Sequence, residues 1–334
     1  MSRRRVLVLI LLICATLALS LAPRAFRILG PPEEPIVYVV LKATGPQMEF
    51  WQIVRAGIQA AATEYDLQPI IVGPREETDI DGQIEILAGV IDVGPDAILL
   101  AASDYNRLVP LAELAVERGI TIVTLDSALN SDVPVSFVAT DNVAAGIKAG
   151  EEIDRLVPLD RKIAIISHVP GVATAIDRER GVRLALRRRD PSTVLGTLFA
   201  ETDPDQAYRL AERLVRDHED LGGIVTLNES STIGAARAVQ DLGVADTIRI
   251  VGFDNSIEEI EYLEQGIIKA LLVQRPFNMG YLGIRTVATV IRGEPVPPVL
   301  NTDSVLVRRE DMYSEENQKL LFPIVRPRSA YDND

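Results

Sequence analysis

The chain has 334 residues, with 34 Lys+Arg against 48 Asp+Glu, 47% hydrophobic residues, one Cys and two His. That length fits two domains of about 100–200 residues each, and the apolar fraction is ample for packed cores, which excludes disorder for the bulk of the chain. Residues 1–30 hold five arginines and no acid, so the remainder carries 29 basic against 48 acidic residues, a net −19 that repels phosphate backbones and excludes non-specific nucleic-acid binding.

Arg3, Arg4 and Arg5 precede an uncharged run from Val6 to Ala22. A basic stretch before an apolar one is the pattern of a secretory signal, and its seventeen residues also reach the lower limit of a membrane-spanning helix, about 17–25 residues. Ser20-Leu21-Ala22 has the small residues of a cleavage site but is followed by Pro23, which signal peptidases generally reject. Residues 1–30 therefore read as a signal peptide or N-terminal membrane anchor. The body is exported and extracytoplasmic, tethered to the outer face of the cytoplasmic membrane, or periplasmic if the segment is cleaved. Residues 31–35 read as a linker, because Pro31, Pro32 and Pro35 forbid regular structure.

From Ile36 short β-rich runs alternate with helical patterns. Strands are expected at Ile36–Leu41, Pro69–Val72, Ala97–Ala101, Thr121–Leu125 and Val135–Ala139. A second series follows at Ile163–Ser167, Val194–Ala200, Gly223–Leu227, Ile248–Phe253 and Ile268–Val273. Between the strands, positions such as Phe50, Ile53, Val54, Gly57, Ile58 and Ala61 repeat at helical spacing. Continuous apolar strands separated by helices predict parallel sheets covered on both faces, so the fold class is α/β with two doubly wound parallel-sheet lobes. Ligands of such lobes sit beyond the carboxyl ends of the strands, and with two lobes those ends can face each other across a cleft. One more β-like run lies at Ser304–Val307, and an amphipathic stretch at Tyr313–Leu321.

Much chemistry is missing. There is no G-x-G-x-x-G after a strand, no G-x-x-x-x-G-K-[ST], no G-x-S-x-G and no H-E-x-x-H. One Cys makes neither an internal disulfide nor a Cys-based zinc site, and two His leave little for metal chemistry, so no cofactor and no metal are expected. Asp79-Ile80-Asp81-Gly82 fails the spacing of a calcium loop, and Asp81 reads as a helix N-cap. His168 ends a strand, where polar residues are usually solvated or form turns.

Six strand-end signatures occur in order: Thr124-Leu125-Asp126, Ala139-Thr140-Asp141-Asn142, Arg178-Glu179-Arg180-Gly181, Leu227-Asn228-Glu229, Val251-Gly252-Phe253-Asp254 and Val273-Gln274. Together, over roughly residues 36–310, they resemble the ribose-type periplasmic sugar-binding proteins, type I solute-binding proteins of ABC transporters that share their fold with the sugar-responsive core of lactose-repressor-like regulators. The resemblance implies a first lobe of residues 36–140 plus 275–302, a second of 141–274 plus 303–325, a flexible tail at 326–334, and a three-crossing hinge near Thr140–Asp141, Gln274–Arg275 and Thr302–Asp303. It also implies the ligand contacts. Phe50 and Trp51 match an aromatic pair stacking on a sugar ring, and Asp126 the first-lobe acid. Arg178 matches the arginine of R-x-x-G, Asn228 the asparagine, Asp254 the second acid and Gln274 the hinge glutamine. These residue types suit a sugar, whose C–H face needs aromatic surface and whose hydroxyls need carboxylate acceptors and amide or guanidinium donors.

The sequence departs from that pattern in the first lobe, where Met48 and Ala101 stand in place of asparagines and Ser127 in place of an arginine; the second-lobe aromatic position falls at Glu201 or Thr202. Fewer donors and shorter side chains predict an enlarged first-lobe wall and a ligand larger than a pentose. The function expected is capture of a sugar or polyol by a monomeric receptor that delivers it to an ABC transporter permease. A ligand-presenting subunit of a membrane histidine kinase would use the same residues. A glycosidase using Asp126 and Asp254 as acid and base or nucleophile is the enzymatic alternative, against which both acids match binding positions.

Overall fold

The computed structural model describes residues 34–46 and 48–322, so the expected signal or anchor, most of the linker and the tail lie outside the described residues. Everything below belongs to the compact unit that begins at Ile36. The chain runs β1 (Val37–Val40), α1 (Glu49–Glu64), β2 (Ile70–Val72), α2 (Ile80–Val93), β3 (Ala97–Leu100), α3 (Val109–Glu117), β4 (Thr121–Leu125) and β5 (Ser136–Thr140). It continues through α4 (Asn142–Leu156), β6 (Lys162–Ser167), α5 (Ala173–Ala185), β7 (Val194–Phe199), α6 (Pro204–Asp217), β8 (Leu221–Thr226) and α7 (Glu229–Asp241). Then follow β9 (Arg249–Phe253), α8 (Ile257–Gln265), β10 (Ile268–Val273), α9 (Pro276–Ile291), β11 (Val299–Thr302), β12 (Val305–Arg308) and α10 (Glu315–Leu321).

Two six-stranded sheets result, ordered β11-β5-β4-β3-β1-β2 and β12-β10-β9-β8-β6-β7. The two orders correspond strand for strand. All pairings are parallel except that of β12, which lies antiparallel on β10. Central strands are buried along their whole length, as in Ala97–Leu100 and Leu221–Thr226, because helices cover both faces. The ten strands expected from the apolar runs are all present, with ends shifted by one or two residues. Strand β11 is the one the sequence conceals: four residues at a sheet edge, half exposed and preceded by Pro297 and Pro298, carry neither alternation nor a continuous apolar run. The N-cap of α2 is Asp79, whose carboxylate accepts from Gly82 N, and not Asp81, which pairs with Arg107.

Chain crossings between the sheets are tied to one another by side chains. Thr140 Oγ1, at the end of β5, donates to Gln274 Oε1, just past β10, at 3.0 Å, and lies 3.5 Å from Thr302 Oγ1 at the end of β11. Close helix packing sets the positions beside them. A Cβ on Gly146 of α4 would lie 2.2 Å from the carbonyl oxygen of Arg178, and one on Gly181 of α5 would lie 2.3 Å from that of Val143. Only hydrogen fits at either place, so the R-x-x-G spacing holds α5 against α4 at the height that carries Arg178 to the cleft.

Gly181→Ala is expected to destabilise the protein by about 1–3 kcal/mol through overpacking. Gly89→Ala, on an exposed face of α2 with open space around the new methyl, should be neutral or stabilise by up to about 1 kcal/mol. Denaturant midpoints at unchanged m-value test the pair.

Candidate ligand-binding site

Side chains that follow the last residue of a strand emerge at the carboxyl edge of the sheet, and the carboxyl edges of the two sheets face each other here. Phe50, Trp51, Asp126, Arg178, Asn228, Asp254 and Gln274, the seven residues singled out in the sequence, all line one cavity of about 280 Å³, counting the part open to solvent. Lys42, Met48, Glu77, His168 and Thr174 complete its wall.

The two acids occupy corresponding places. Asp126 follows β4 and Asp254 follows β9, both in left-handed backbone conformation (φ 61° and 79°), and their amides donate to Val138 O and Leu272 O of the neighbouring strand. Asp tolerates this region better than other side-chain-bearing residues except Asn. Their partners differ. Asp126 Oδ2 lies 2.6 Å from Lys42 Nζ in an ion pair that is almost fully buried. Asp254 accepts from Gln274 Nε2 at 2.6 Å and from Glu229 N at 2.9 Å. Burial pushes the Asp254 carboxyl above its usual range, against the opposing pull of Arg178. Both oxygens of Asp254 and one oxygen of Asp126 are thus engaged by protein partners.

Arg178 is fixed on three sides. Its Nε donates to Asn142 Oδ1 at 2.8 Å and its Nη1 to Leu227 O at 2.7 Å, while the guanidinium carbon sits 4.6 Å from the centre of the Phe253 ring. Two of its five N–H groups are thereby used, which leaves donors for the cavity. Asn228 serves twice: Oδ1 caps α7 by accepting from Ser231 N at 3.1 Å, and Nδ2 is buried at the cavity with no partner. His168 is 3% exposed, contrary to the solvated role expected of a strand-end polar residue. Its Nε2 lies 3.0 Å from Thr174 Oγ1 and its Nδ1 is buried without a partner. Desolvation, with Arg178 and Lys42 nearby, holds its pKa well below the usual histidine value, so the ring is neutral.

Phe50 and Trp51 are both buried, although neighbours cannot share one helix face, because the first turn of α1 lies between the lobes. Their rings meet edge to face at 5.1 Å, Trp51 Nε1 donates to Glu77 Oε1 at 2.7 Å, and Lys42 Nζ stands 5.8 Å from the indole. The enlarged, donor-poor first-lobe wall is also corrected. Lys42 brings an ammonium to it, and beside Ala101 the amide of Gln83 spans Leu41 O, Ala101 O and Ser103 N, filling that flank of the wall. The sequence singles out neither Lys42 nor Glu77. Lys42 had a signal, a charge directly after the apolar run Val37–Leu41; Glu77 had none, since nothing distinguishes it from the exposed Glu76 beside it.

Glutamates hold the lobes closed over the cavity. Glu229, opening α7, accepts from the backbone amides of Glu49 and Phe50 at the start of α1 (3.1 and 3.2 Å), and Glu49 in turn accepts from Ile257 N at the start of α8 (3.2 Å). Each carboxylate thus meets the positive end of a helix dipole in the other lobe. Tyr105 N donates across the same seam to Gly171 O at 2.9 Å. Burial and the charge of Asp254 push Glu229 up to about 8, against the pull of the two amides.

A carboxyl whose pKa is raised on closure takes up a proton, so the closed arrangement loses stability as pH rises from the ordinary value of 4.5 through about 8. Glu229→Gln keeps an acceptor for the α1 amides and removes the titration. It should match wild type near pH 5 and exceed its melting temperature near pH 8. Asp254, Glu77 and Glu259 shift in the same direction, so part of the pH slope remains in the variant. Equal pH profiles for the two proteins would remove Glu229 from this role.

Residues 37–295 match the family model described as "Periplasmic binding protein domain". The D-ribose/D-allose-binding protein of Pseudomonas aeruginosa is 26% identical over 301 residues, covering 88% of this chain and 92% of that one. A sugar transporter from Clostridium phytofermentans superposes with a TM-score of 0.77 at 33% identity, covering 82% of this chain and 99% of the other. An ABC transporter solute-binding protein from Agrobacterium vitis with bound D-fucose gives a TM-score of 0.80 at 29% identity, covering 86% and 99%. A single model spanning most of the chain, on a two-lobe fold with seven residues from strand ends and helices gathered at one cavity, has one conclusion: this chain belongs to the periplasmic binding protein family, in its ribose-type, sugar-binding branch.

Proposed function

We propose that this protein captures one neutral monosaccharide ring in the interlobe cavity and presents it, lobes closed, to the permease of an ABC importer. Sugar binding outside the cytoplasm in the service of ABC transport is common to the family; the ligand class and the residue roles are our own reading. The observation that carries them is the cavity wall itself. Donors and acceptors from both lobes converge on a space of about 280 Å³, and the Asn228 Nδ2 and His168 Nδ1 atoms are buried there without protein partners. A buried polar atom left unsatisfied costs about 1–3 kcal/mol, which a ligand hydroxyl recovers.

In this reading Asp126 and Asp254 accept hydroxyl protons, Arg178, Asn228 and Lys42 donate, Gln274 holds Asp254 in place, and Phe50 and Trp51 supply apolar surface. Charge favours a neutral ligand, because Lys42 already balances Asp126 and a ligand carboxylate would meet Asp254 and Glu77. The relatives named above bind D-ribose, D-allose or D-fucose, all single rings that set the first compounds to try. The relatives are transport proteins and not enzymes. Tethering by residues 6–22 keeps the receptor at the membrane surface in this proposal, and membrane fractionation of the full chain tests it.

Calorimetry with D-ribose, D-allose, D-fucose, D-glucose and D-galactose is expected to find at least one tight ligand. Arg178→Ala or Asp254→Ala should weaken it by about tenfold or more, from about 1–3 kcal/mol of lost or unpaired hydrogen bonding, with the melting transition of the free protein retained. Wild-type affinity in either variant would sink the role given to that residue.

Trp51 is the only tryptophan in the chain, so intrinsic indole emission reports the cavity without background. Saturating sugar should change its intensity or wavelength, and Phe substituted for Trp51 should abolish the signal while heat of binding persists. A ligand that shifts melting but leaves the emission untouched removes Trp51 from the site.

A further inference from the structure

The sugar cavity is not the only space between the lobes. Beside it lies a larger chamber of about 970 Å³, counting the part open to solvent. Its first-lobe wall comes from the loops after β1 and β2, including Gly45, Met48, Arg75 and Glu77; its second-lobe wall comes from the turn after β7 and the first turns of α7, including Thr202 and Ile233. Met48 and Glu77 line both spaces and form the partition between them. The chamber is present while Glu229 and Glu49 bridge the lobes. A group projecting from the inner ring past that partition need not reopen the lobes.

The position where the family resemblance places an aromatic falls at Glu201 and Thr202, two consecutive residues in left-handed conformation (φ 52° and 58°), with Thr202 Oγ1 3.4 Å from Glu77 Oε2. Ala43, Met48, Pro204 and Ile233 give the chamber apolar surface, while its ionisable groups are five acidic side chains, of which Glu76, Glu201 and Asp203 lie away from the buried Glu77 and Glu229, against the single Arg75. Apolar surface with hydroxyl acceptors suits a second sugar ring or a neutral aromatic group, and the charge balance disfavours a uronate or sulfate.

We propose that the physiological ligand is longer than one ring: a neutral glycoside or disaccharide whose first ring fills the inner cavity and whose second group passes between Met48 and Glu77 into the outer chamber. This rests on the sugar-binding reading above and extends it. No bond is made or broken; the chamber adds contact area to a ligand that the inner site orients.

The test takes the pyranose that binds best in the calorimetric panel, its 4-nitrophenyl α- and β-glycosides, and disaccharides carrying it at either end. At least one of these extended compounds should bind wild type within tenfold of the free sugar, or more tightly. Ile233→Trp, a filling substitution on the half-buried face of α7, should weaken that compound at least tenfold and leave the free sugar within twofold. If all extended compounds bind more than tenfold weaker than the free sugar, or if Ile233→Trp leaves their affinity unchanged, the extension is overturned while the sugar reading stands. If free sugars and extended compounds alike fail to bind, the sugar reading itself falls. A glycoside ending in a uronate should bind at least tenfold more weakly than its neutral counterpart, and equal affinity would overturn the part assigned to the carboxylates.

Discussion

The side-chain amide of Gln274 accepts a hydrogen bond from Thr140, on another crossing between the lobes, and donates one to Asp254 at the floor of the cavity. Asp254 accepts from the amide of Glu229, and the Glu229 carboxylate accepts from the first amides of α1, where Phe50 and Trp51 begin. Hinge, second-lobe acid, interlobe bridge and first-lobe aromatics are thus links of one hydrogen-bonded chain. Low local dielectric strengthens each link and makes any unpaired member expensive, so the chain favours one arrangement of the lobes around the cavity. A Gln serves here because it offers an acceptor and a donor on one rigid plane; a Glu would offer acceptors only, facing another carboxylate.

Two sheets with the same strand order place Asp126 and Asp254 at corresponding turns, yet the two are balanced differently. The first faces an ammonium in a buried pair, and the second is held by neutral donors. Removing one member of a buried pair costs about 3–5 kcal/mol through the charge left behind, so Lys42 and Asp126 tie local stability to the site more tightly than Gln274 and Asp254 do. The cavity between them has a polarised wall on one side and a hydrogen-bonding one on the other.

Much of this was legible in the sequence because strand ends are legible. An apolar run such as Thr121–Leu125 stops where the sheet stops, and a polar residue that follows it has the cleft as its nearest polar surface. All seven residues chosen on that basis and on the family resemblance reach the cavity. What stayed hidden depends on tertiary geometry. Trp51 is covered on every side because α1 begins between two lobes, and no periodicity shows the second lobe. Glu77 and Glu76 are adjacent and alike, but only one meets the indole. Gln83 fills the flank beside Ala101 from a helix eighteen residues earlier in the chain, so the gap expected from a shortened side chain is absent.

The left-handed backbone at Asp126 and Asp254 carries an evolutionary consequence. Gly, Asn and Asp occupy that conformation at the lowest cost, so the backbone favours three residues at each position before ligand chemistry acts at all. The least strained changes of ligand run through Asn, which trades an acceptor for a donor, or Gly, which gives up the contact and keeps the turn.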